Sequence, residues 1–263
     1  MMRELLHGRA ALVLVGCALA ACGKKDDAVG SAPSASSLAA STADPTTATW
    51  RYSIDPKSTV HVDLPGLKEQ IKADAKGAAG SLDIVPKDLA KSRGKVRIDL
   101  ATLATSTFAN DKDAAQTKHA RTWLEVQVGD KTNEEMRWAE FAIRSIDASS
   151  AASLPQVVPA RDGSEDLRTV TMTVRGELLV HGHKVAREDV VDVVFRYPAG
   201  AASDSRPTRL EITSRQPMRV VLKEHDVGPR DPAGKVLEWT TNLLSKVADT
   251  ADVTVRLGAT PAP

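Results

Sequence analysis

Large apolar features are scarce in this chain. Four Trp, two Tyr and three Phe make up 3% of its 263 residues, so a core must be packed mainly with aliphatic side chains. The longest apolar run, residues 10–21, has about a dozen residues and is too short to cross a bilayer of ~30 Å as a helix. Because Arg3 and Arg9 precede it, the run is typical of a secretory signal peptide.

Cysteine is nearly absent as well, since the chain has only Cys17 and Cys22. The apolar run ends in Leu19-Ala20-Ala21-Cys22, which resembles the lipobox of bacterial lipoproteins, whose cleavage leaves a lipid-modified N-terminal cysteine. We therefore expect a lipoprotein signal peptide over residues 1–21 and a membrane anchor on Cys22; an ordinary secretory signal is the alternative. Cys17 would be lost with the signal, so the mature protein would have no intrachain disulfide and would depend on core burial.

Neither sign of charge is in excess. Removal of residues 1–21 takes away two Arg and one Glu, leaving 35 − 2 = 33 basic and 34 − 1 = 33 acidic residues. A neutral chain argues against the clustered basic face that nucleic acid requires and against electrostatic attachment to anionic lipid. Attachment would fall to the lipid on Cys22, and we expect a protein of the cell envelope, anchored on the periplasmic side of a membrane.

Catalytic sequence motifs are missing. There is no G-x-S-x-G, no H-E-x-x-H, no phosphate-binding loop and no G-x-G-x-x-G between a strand and a helix. His225-Asp226 could be half of a catalytic pair, but no nucleophile goes with it, and a solvated loop is the simpler interpretation. His181 and His183 could start a metal site, yet no third ligand lies nearby in sequence. We therefore predict a non-enzymatic protein without metal or cofactor.

What the chain does contain is an alternation of apolar and polar residues, which is typical of half-buried strands. The clearest case is the stretch over residues 169–185. Gly176 interrupts it and predicts a bulge or bend in a curved sheet, a place where a positive φ could be required. A turn at His181-Gly182-His183 would then reverse the chain into a second strand over residues 185–197.

Other segments extend the pattern. Further strands are predicted near residues 50–54, 60–64, 81–85, 96–100, 139–143, 210–212, 218–222 and 251–257. Helices are predicted over residues 111–124, capped by Asp111, and 236–247, while residues 67–78 are strand or irregular and the loop over residues 147–167 should lie outside the core. Many short strands and two helices predict an all-β antiparallel barrel or sandwich, closed by pairing of the Trp50 and Val253 strands.

The domain organisation follows from composition. Residues 22–48 are rich in Ala, Ser, Thr and Pro without periodicity, which predicts a disordered tether. Residues 49–258 would form the barrel and residues 259–263 a short tail. An eight-stranded barrel can be filled by its side chains or hold one small ligand, and both remain open. The candidate ligand-binding residues are the alternating apolar positions Trp50, Tyr52, Ile54, Val60, Val62, Val96, Ile98, Phe141, Ile143, Val170, Met172, Val174, Leu178, Val180, Val191, Val193, Phe195, Leu210 and Ile212.

Three segments, in order, resemble the YceI-like family. Residues 50–60, WRYSIDPKSTV, resemble its opening strand and turn, and residues 174–185, VRGELLVHGHKV, resemble its central G-x-L-T-I-H-G strand and turn. Between them, residues 96–105, VRIDLATLAT, are similar to its V-x-I-D-x-x-S-L-x-T segment, with Thr102 where serine is usual. The resemblance covers about residues 50–258.

This resemblance implies a lipocalin-like, elongated antiparallel barrel that binds a long polyisoprenoid, or a quinone-like or similar amphiphile. The chain departs from the family pattern in its Lys-rich residues 67–76, in its long loop over residues 147–167, and in His225-Asp226-Val227-Gly228, where R-x-D-F-G is usual. The last change removes an aromatic side chain from the expected cavity wall. The expected function is a non-enzymatic lipoprotein that holds an apolar chain; the alternative is a structural or protein-interaction lipoprotein with a filled barrel.

Overall fold

The computed structural model describes residues 37–65, 70–230 and 249–263, so the helix predicted over residues 236–247 lies outside the described residues. The strands are β1 Trp50–Ile54, β2 Thr59–Pro65, β3 Gln70–Ile84, β4 Arg93–Thr105, β5 Gln127–Val128, β6 Lys131–Thr132, β7 Trp138–Ser149, β8 Ala160–Asp162, β9 Glu165–Val180, β10 His183–Pro198, β11 Arg209–Ser214, β12 Met218–Val221 and β13 Thr250–Pro261. Helix α1 spans Asp111–Trp123, and short 3-10 turns cover Leu89–Lys91, Leu154–Gln156 and Leu222–His225. Among these described segments no helix has the length and hydropathy to cross a membrane.

The main sheet is antiparallel and closes on itself. β9 and β10 pair along their whole length, and the sheet continues through β7, β4 and β3 on one side and β11 and β13 on the other. β2 pairs with both β3 and β13, and β1 does the same at another level of these two strands. These pairings join the two sides into a ring, in which each strand turns alternate residues inward. The predicted all-β antiparallel barrel and the pairing of the first and last strands are confirmed.

The hairpin between β9 and β10 is as tight as predicted. His181 and Gly182 have φ of 50° and 76°, and Val180 pairs with His183, which matches a two-residue type I′ turn. Type I′ turns follow the right-handed twist of the strands, so the two long strands stay paired up to the turn.

Gly176 is needed for a reason other than the predicted one. It does not have a positive φ, and the adjacent register shift falls in β7, between Ile143 and Ser145. A Cβ at Gly176 would lie 2.4 Å from the carbonyl oxygen of Ala142 and 2.7 Å from the Phe141 ring. Close approach of β7, rather than backbone conformation, therefore requires glycine here.

Several predicted boundaries were wrong. The α1 cap is Asn110, whose Oδ1 accepts a hydrogen bond from the Lys112 amide at 2.9 Å, and not Asp111. The loop over residues 147–167 is not outside the core, since Leu154 is fully buried. At the C-terminus β13 continues through Pro261 with Ala259 fully buried, so most of the predicted tail is strand.

The last part of the predicted tether lies against the outside of the barrel. Leu38 is buried against Ala142 and Leu179 on two neighbouring strands. The carboxylate of Glu140, itself buried, accepts hydrogen bonds from the Leu38 amide at 2.7 Å and from the Ser37 hydroxyl at 2.9 Å. Residues 37–43 are therefore packed on the barrel, because these long-range contacts outweigh a composition that by itself predicts disorder.

Candidate functional site

The inside of the barrel is partly hollow. A cavity of about 280 Å³ is lined by 42 residues, of which only seven have polar side chains: Ser92, Arg93, Arg97, Thr105, Glu140, Asp189 and His225. The lining reaches from Met172 to Val180 along β9, about 27 Å at 3.4 Å per residue. A long cavity with an apolar wall is suited to an extended apolar molecule.

Most of the residues predicted to line the barrel do so. Fourteen of the nineteen candidates lie in the cavity wall: Val60, Val62, Val96, Ile98, Phe141, Ile143, Met172, Val174, Leu178, Val180, Val191, Val193, Leu210 and Ile212. They lie on six different strands. Because alternate residues of each strand face inward, they come together in one wall. Whether they touch a ligand remains a prediction.

Five candidates do not line the cavity: Trp50, Tyr52, Ile54, Val170 and Phe195. They belong to the packed core, and Tyr52, Val170 and Phe195 are fully buried there with Tyr197. The Tyr52 hydroxyl donates a hydrogen bond to the Pro207 carbonyl at 2.9 Å. Tyr52, Phe195 and Tyr197 thus fill one end of the barrel, which we call the aromatic end, because large side chains on neighbouring strands converge there.

The opposite end is covered by α1 and by the turn Leu222–His225. Trp123 and Leu124, at the end of α1, and Leu222 and Val227 line the cavity here. Trp123 and Leu124 were not among the candidates from sequence, because α1 has only scattered apolar residues. We call this the α1 end.

A buried carboxyl in the cavity wall was also missed. Asp189 is 8% exposed; its Oδ2 accepts a hydrogen bond from Ser214 Oγ at 2.8 Å, and its Oδ1 has no partner within the described part of the chain. Burial raises the pKa of the Asp189 carboxyl, and the hydrogen bond from Ser214 opposes this in part. The sequence could have predicted this position, because Asp189, Val191 and Val193 are two residues apart and so face the same side of the strand.

The prediction that His225 lies in a solvated loop is wrong. It is fully buried and lines the cavity at the α1 end. Its Nδ1 lies 3.1 Å from the His183 carbonyl oxygen, and its Nε2 has no partner among the described residues. Burial lowers the pKa of His225, which favours a neutral ring.

A third ligand for the His181 and His183 pair, absent nearby in sequence, is supplied by the fold. Donor atoms of His181, His183 and Asp226 all lie within 4.8 Å of one another. The turn before β10 and the end of the 3-10 turn meet at the α1 end, which brings Asp226 next to both histidines. The residue types are those that bind transition metals such as zinc.

Comparison with known proteins gives low similarities. No family model and no curated protein matches the chain. Among solved structures, Burkholderia cenocepacia BcnA is 16% identical with a TM-score of 0.48, covering 77% of this chain and 96% of its own. A polyisoprenoid binding domain from Saccharophagus degradans, implicated in plant cell wall breakdown, is 15% identical with a TM-score of 0.47, covering 80% and 98%.

A third solved structure, a mutant CJ YCEI protein made for nanotechnology applications, is 12% identical with a TM-score of 0.39, covering 73% of this chain and 85% of its own. All three TM-scores lie below 0.5, so none of these likenesses assigns a function to this chain.

Proposed function

We propose that this protein is a non-enzymatic binding protein that holds a long apolar chain, such as a polyisoprenoid or a quinone-like amphiphile, inside its barrel. The observation that carries the proposal is the cavity of about 280 Å³ whose wall is apolar at 35 of 42 positions. Binding of an apolar molecule in such a cavity is favourable, because apolar surface is removed from water.

Magnitudes favour a long ligand over a short one. At roughly 0.3 kcal/mol per atom, about twenty carbons contribute ~6 kcal/mol, which corresponds to a Kd in the tens of micromolar. About forty carbons contribute ~12 kcal/mol and nanomolar binding. A ligand that stays bound through purification should therefore be long.

Two of the polar residues in the wall indicate that the ligand has a polar group. Asp189 Oδ1 and His225 Nε2 are both without hydrogen-bond partners among the described residues, and both residues line the cavity. An unpaired buried polar atom costs free energy that a ligand carbonyl or hydroxyl would recover. This supports an amphiphile over a pure hydrocarbon.

We also propose that lipid on Cys22 anchors the protein in the cell envelope, on the periplasmic side of a membrane. Support comes from the sequence: two arginines, an apolar run and a lipobox-like tetrapeptide fall in the order of a lipoprotein signal. A tethered barrel would hold its cargo close to the membrane from which an apolar chain is drawn.

Organic extraction of the purified protein, followed by mass spectrometry, tests the binding function. We expect a long apolar molecule from the native protein and little from Val193→Asp, because Val193 lies in the cavity wall between Val170 and Ile212 and a carboxylate there would have no partner like Ser214. Val194→Asp is the matched control, since the next residue of β10 faces the other side of the sheet. If the native protein is empty and takes up no added long-chain quinone or polyprenol, the barrel is structural.

A further inference from the structure

Three strained residues meet at the α1 end of the barrel. Glu125 follows α1, His181 lies in the β9–β10 turn, and Asp226 ends the turn Leu222–His225; their φ values are 52°, 50° and 51°. Among the residues that the structure describes, the one other non-glycine residue with a positive φ is Ala109. Non-glycine residues held in this left-handed region cost free energy and tend to cluster at functional sites.

Both ring nitrogens of His181 contact oxygen atoms that accept hydrogen bonds. Nδ1 lies 3.1 Å from the His225 carbonyl oxygen, and Nε2 lies 2.7 Å from Glu125 Oε2. Both partners are acceptors, whereas a neutral imidazole has a single N–H. The contact with Glu125 therefore needs either a second proton, on the 2% exposed ring or on the carboxyl, or a cation shared by the nitrogen and the carboxylate.

His183 presents a second nitrogen to the same place. Its Nε2 is buried and has no hydrogen-bond partner within the described ranges, and donor atoms of His181, His183 and Asp226 lie within 4.8 Å of one another. Ligand atoms around a tetrahedral zinc ion, at about 2.0–2.1 Å from the metal, are roughly 3.4 Å apart. Shifts of about 1 Å in these side chains would bring the donor atoms to that spacing.

We propose that this cluster binds one divalent transition-metal ion of the zinc type, with His181 Nε2, His183 Nε2 and an Asp226 oxygen as ligands and Glu125 as the fourth. Two imidazoles with carboxylates favour zinc and its neighbours over calcium or magnesium, which take oxygen ligands. The contact of His181 Nδ1 with the His225 carbonyl is the outer contact that fixes the ring of a ligating histidine.

Charge in the cluster leaves room for a cation. Arg230 pairs with Asp226 Oδ2 at 2.9 Å and with Glu125 Oε1 at 3.4 Å. Two carboxylates face one guanidinium here, an excess of one acidic side chain that a cation would offset. The ion would connect the end of α1, the β9–β10 hairpin and the turn before Val227, and so would hold the α1 end of the cavity in place.

Metal titration of the purified protein, stripped with a chelator, tests this site independently of any apolar ligand. We expect one Zn²⁺ per chain by calorimetry, a rise in Tm with Zn²⁺, and an X-ray absorption spectrum with two imidazole ligands. His183→Gln should weaken Zn²⁺ binding at least tenfold while leaving the Tm of the metal-free protein nearly unchanged, because its Nε2 makes no hydrogen bond there. His119→Gln, an exposed histidine on α1, should bind Zn²⁺ like the native protein.

The result that overturns the proposal is equally specific. Weak binding at several sites, binding reduced equally in His183→Gln and His119→Gln, or a spectrum without imidazole would mean adventitious surface binding. Asp226→Asn serves as a second variant if His183→Gln does not fold, and unchanged affinity in that variant would also overturn the site. A protein that carries apolar ligand but no metal leaves the binding function intact.

Discussion

Ser214 Oγ donates a hydrogen bond of 2.8 Å to Asp189 Oδ2, while its own oxygen accepts from the Val255 amide at 3.1 Å. This one hydroxyl links β10 to β13 through β11 and supports a carboxyl inside an otherwise apolar wall. The barrel tolerates Asp189 because Ser214 donates a hydrogen bond to Oδ2. The other carboxyl oxygen, Oδ1, has no partner among the described residues, and Asp189 lines the cavity.

The stability of the protein should depend on pH through Asp189. Because burial raises its pKa, the folded state keeps a proton that the unfolded state releases between the unfolded pKa of about 3.9 and the raised folded pKa. The contribution of Asp189 to the free energy of unfolding thus falls as pH rises through that window, and it stays lower at higher pH. Asp189→Asn should remove this dependence and be about 1 kcal/mol more stable than the native protein at pH 7.

Urea unfolding between pH 3 and pH 8 measures the difference for Asp189→Asn. Asp192→Asn is the control, since Asp192 lies on the other face of β10, bonded to Thr171 and paired with Arg215. Equal pH slopes for the native protein and Asp189→Asn would show that the carboxyl is not desolvated in the folded state.

Gly176→Ala should destabilise the barrel by about 1–3 kcal/mol, since the new Cβ would overlap the Ala142 carbonyl and the Phe141 ring. For a chain of this size that corresponds to a fall in Tm of roughly 2–4 °C per kcal/mol. Gly258→Ala is the matched control, because a Cβ at that strand position meets its nearest atom, on Arg209, at an ordinary 3.4 Å. If both variants melt alike, the predicted clash is relieved by movement of β7.

Glu140→Gln should release residues 37–43 from the barrel surface. The buried carboxylate accepts from Ser37, Leu38 and the Lys95 ammonium, and hydrogen bonds to a charged group contribute about 1.5–3 kcal/mol. Faster hydrogen exchange and proteolytic cleavage at residues 37–43, with an unchanged barrel, would be observed. Glu177→Gln, which removes a more exposed pair with Arg144, should leave both rates at native values.

Cys22→Ala should free the protein from the membrane without changing the barrel, since Cys22 precedes the first described residue by 37 − 22 = 15 positions and the anchor would be its lipid. Cell fractionation with high-salt and carbonate washes measures this. Cys17→Ala, within the expected signal peptide, should remain anchored. Retention of the Cys22→Ala protein in the washed membranes would mean that something other than a lipid on Cys22 holds it there.

The sequence predicted the wall of the barrel well because strand alternation is a local property. Val191, Val193 and Ile212 follow a period of two that needs no knowledge of their partners. It predicted the ends poorly, because these depend on which distant segments meet: Tyr52 packs with Phe195 only once β1 and β10 approach the same end, and Asp226 reaches His181 only through the closed hairpin. The N-cap of α1 was missed by one residue, since Asn110 and Asp111 are both good caps.

Strand β13 pairs with β1, β2, β11 and β12, and its register with β1 brings Tyr52 opposite Pro261. The four strands can therefore reach their final alignment only after residues 250–261 have joined the sheet. Until β13 is in place, β1, β2, β11 and β12 have exposed edges of the kind that recruit other chains into aggregates. Such contacts between the two termini also give a high contact order, so closure should take milliseconds to seconds rather than microseconds. Under the proposed function, an apolar ligand could be enclosed only after β13 has closed the barrel.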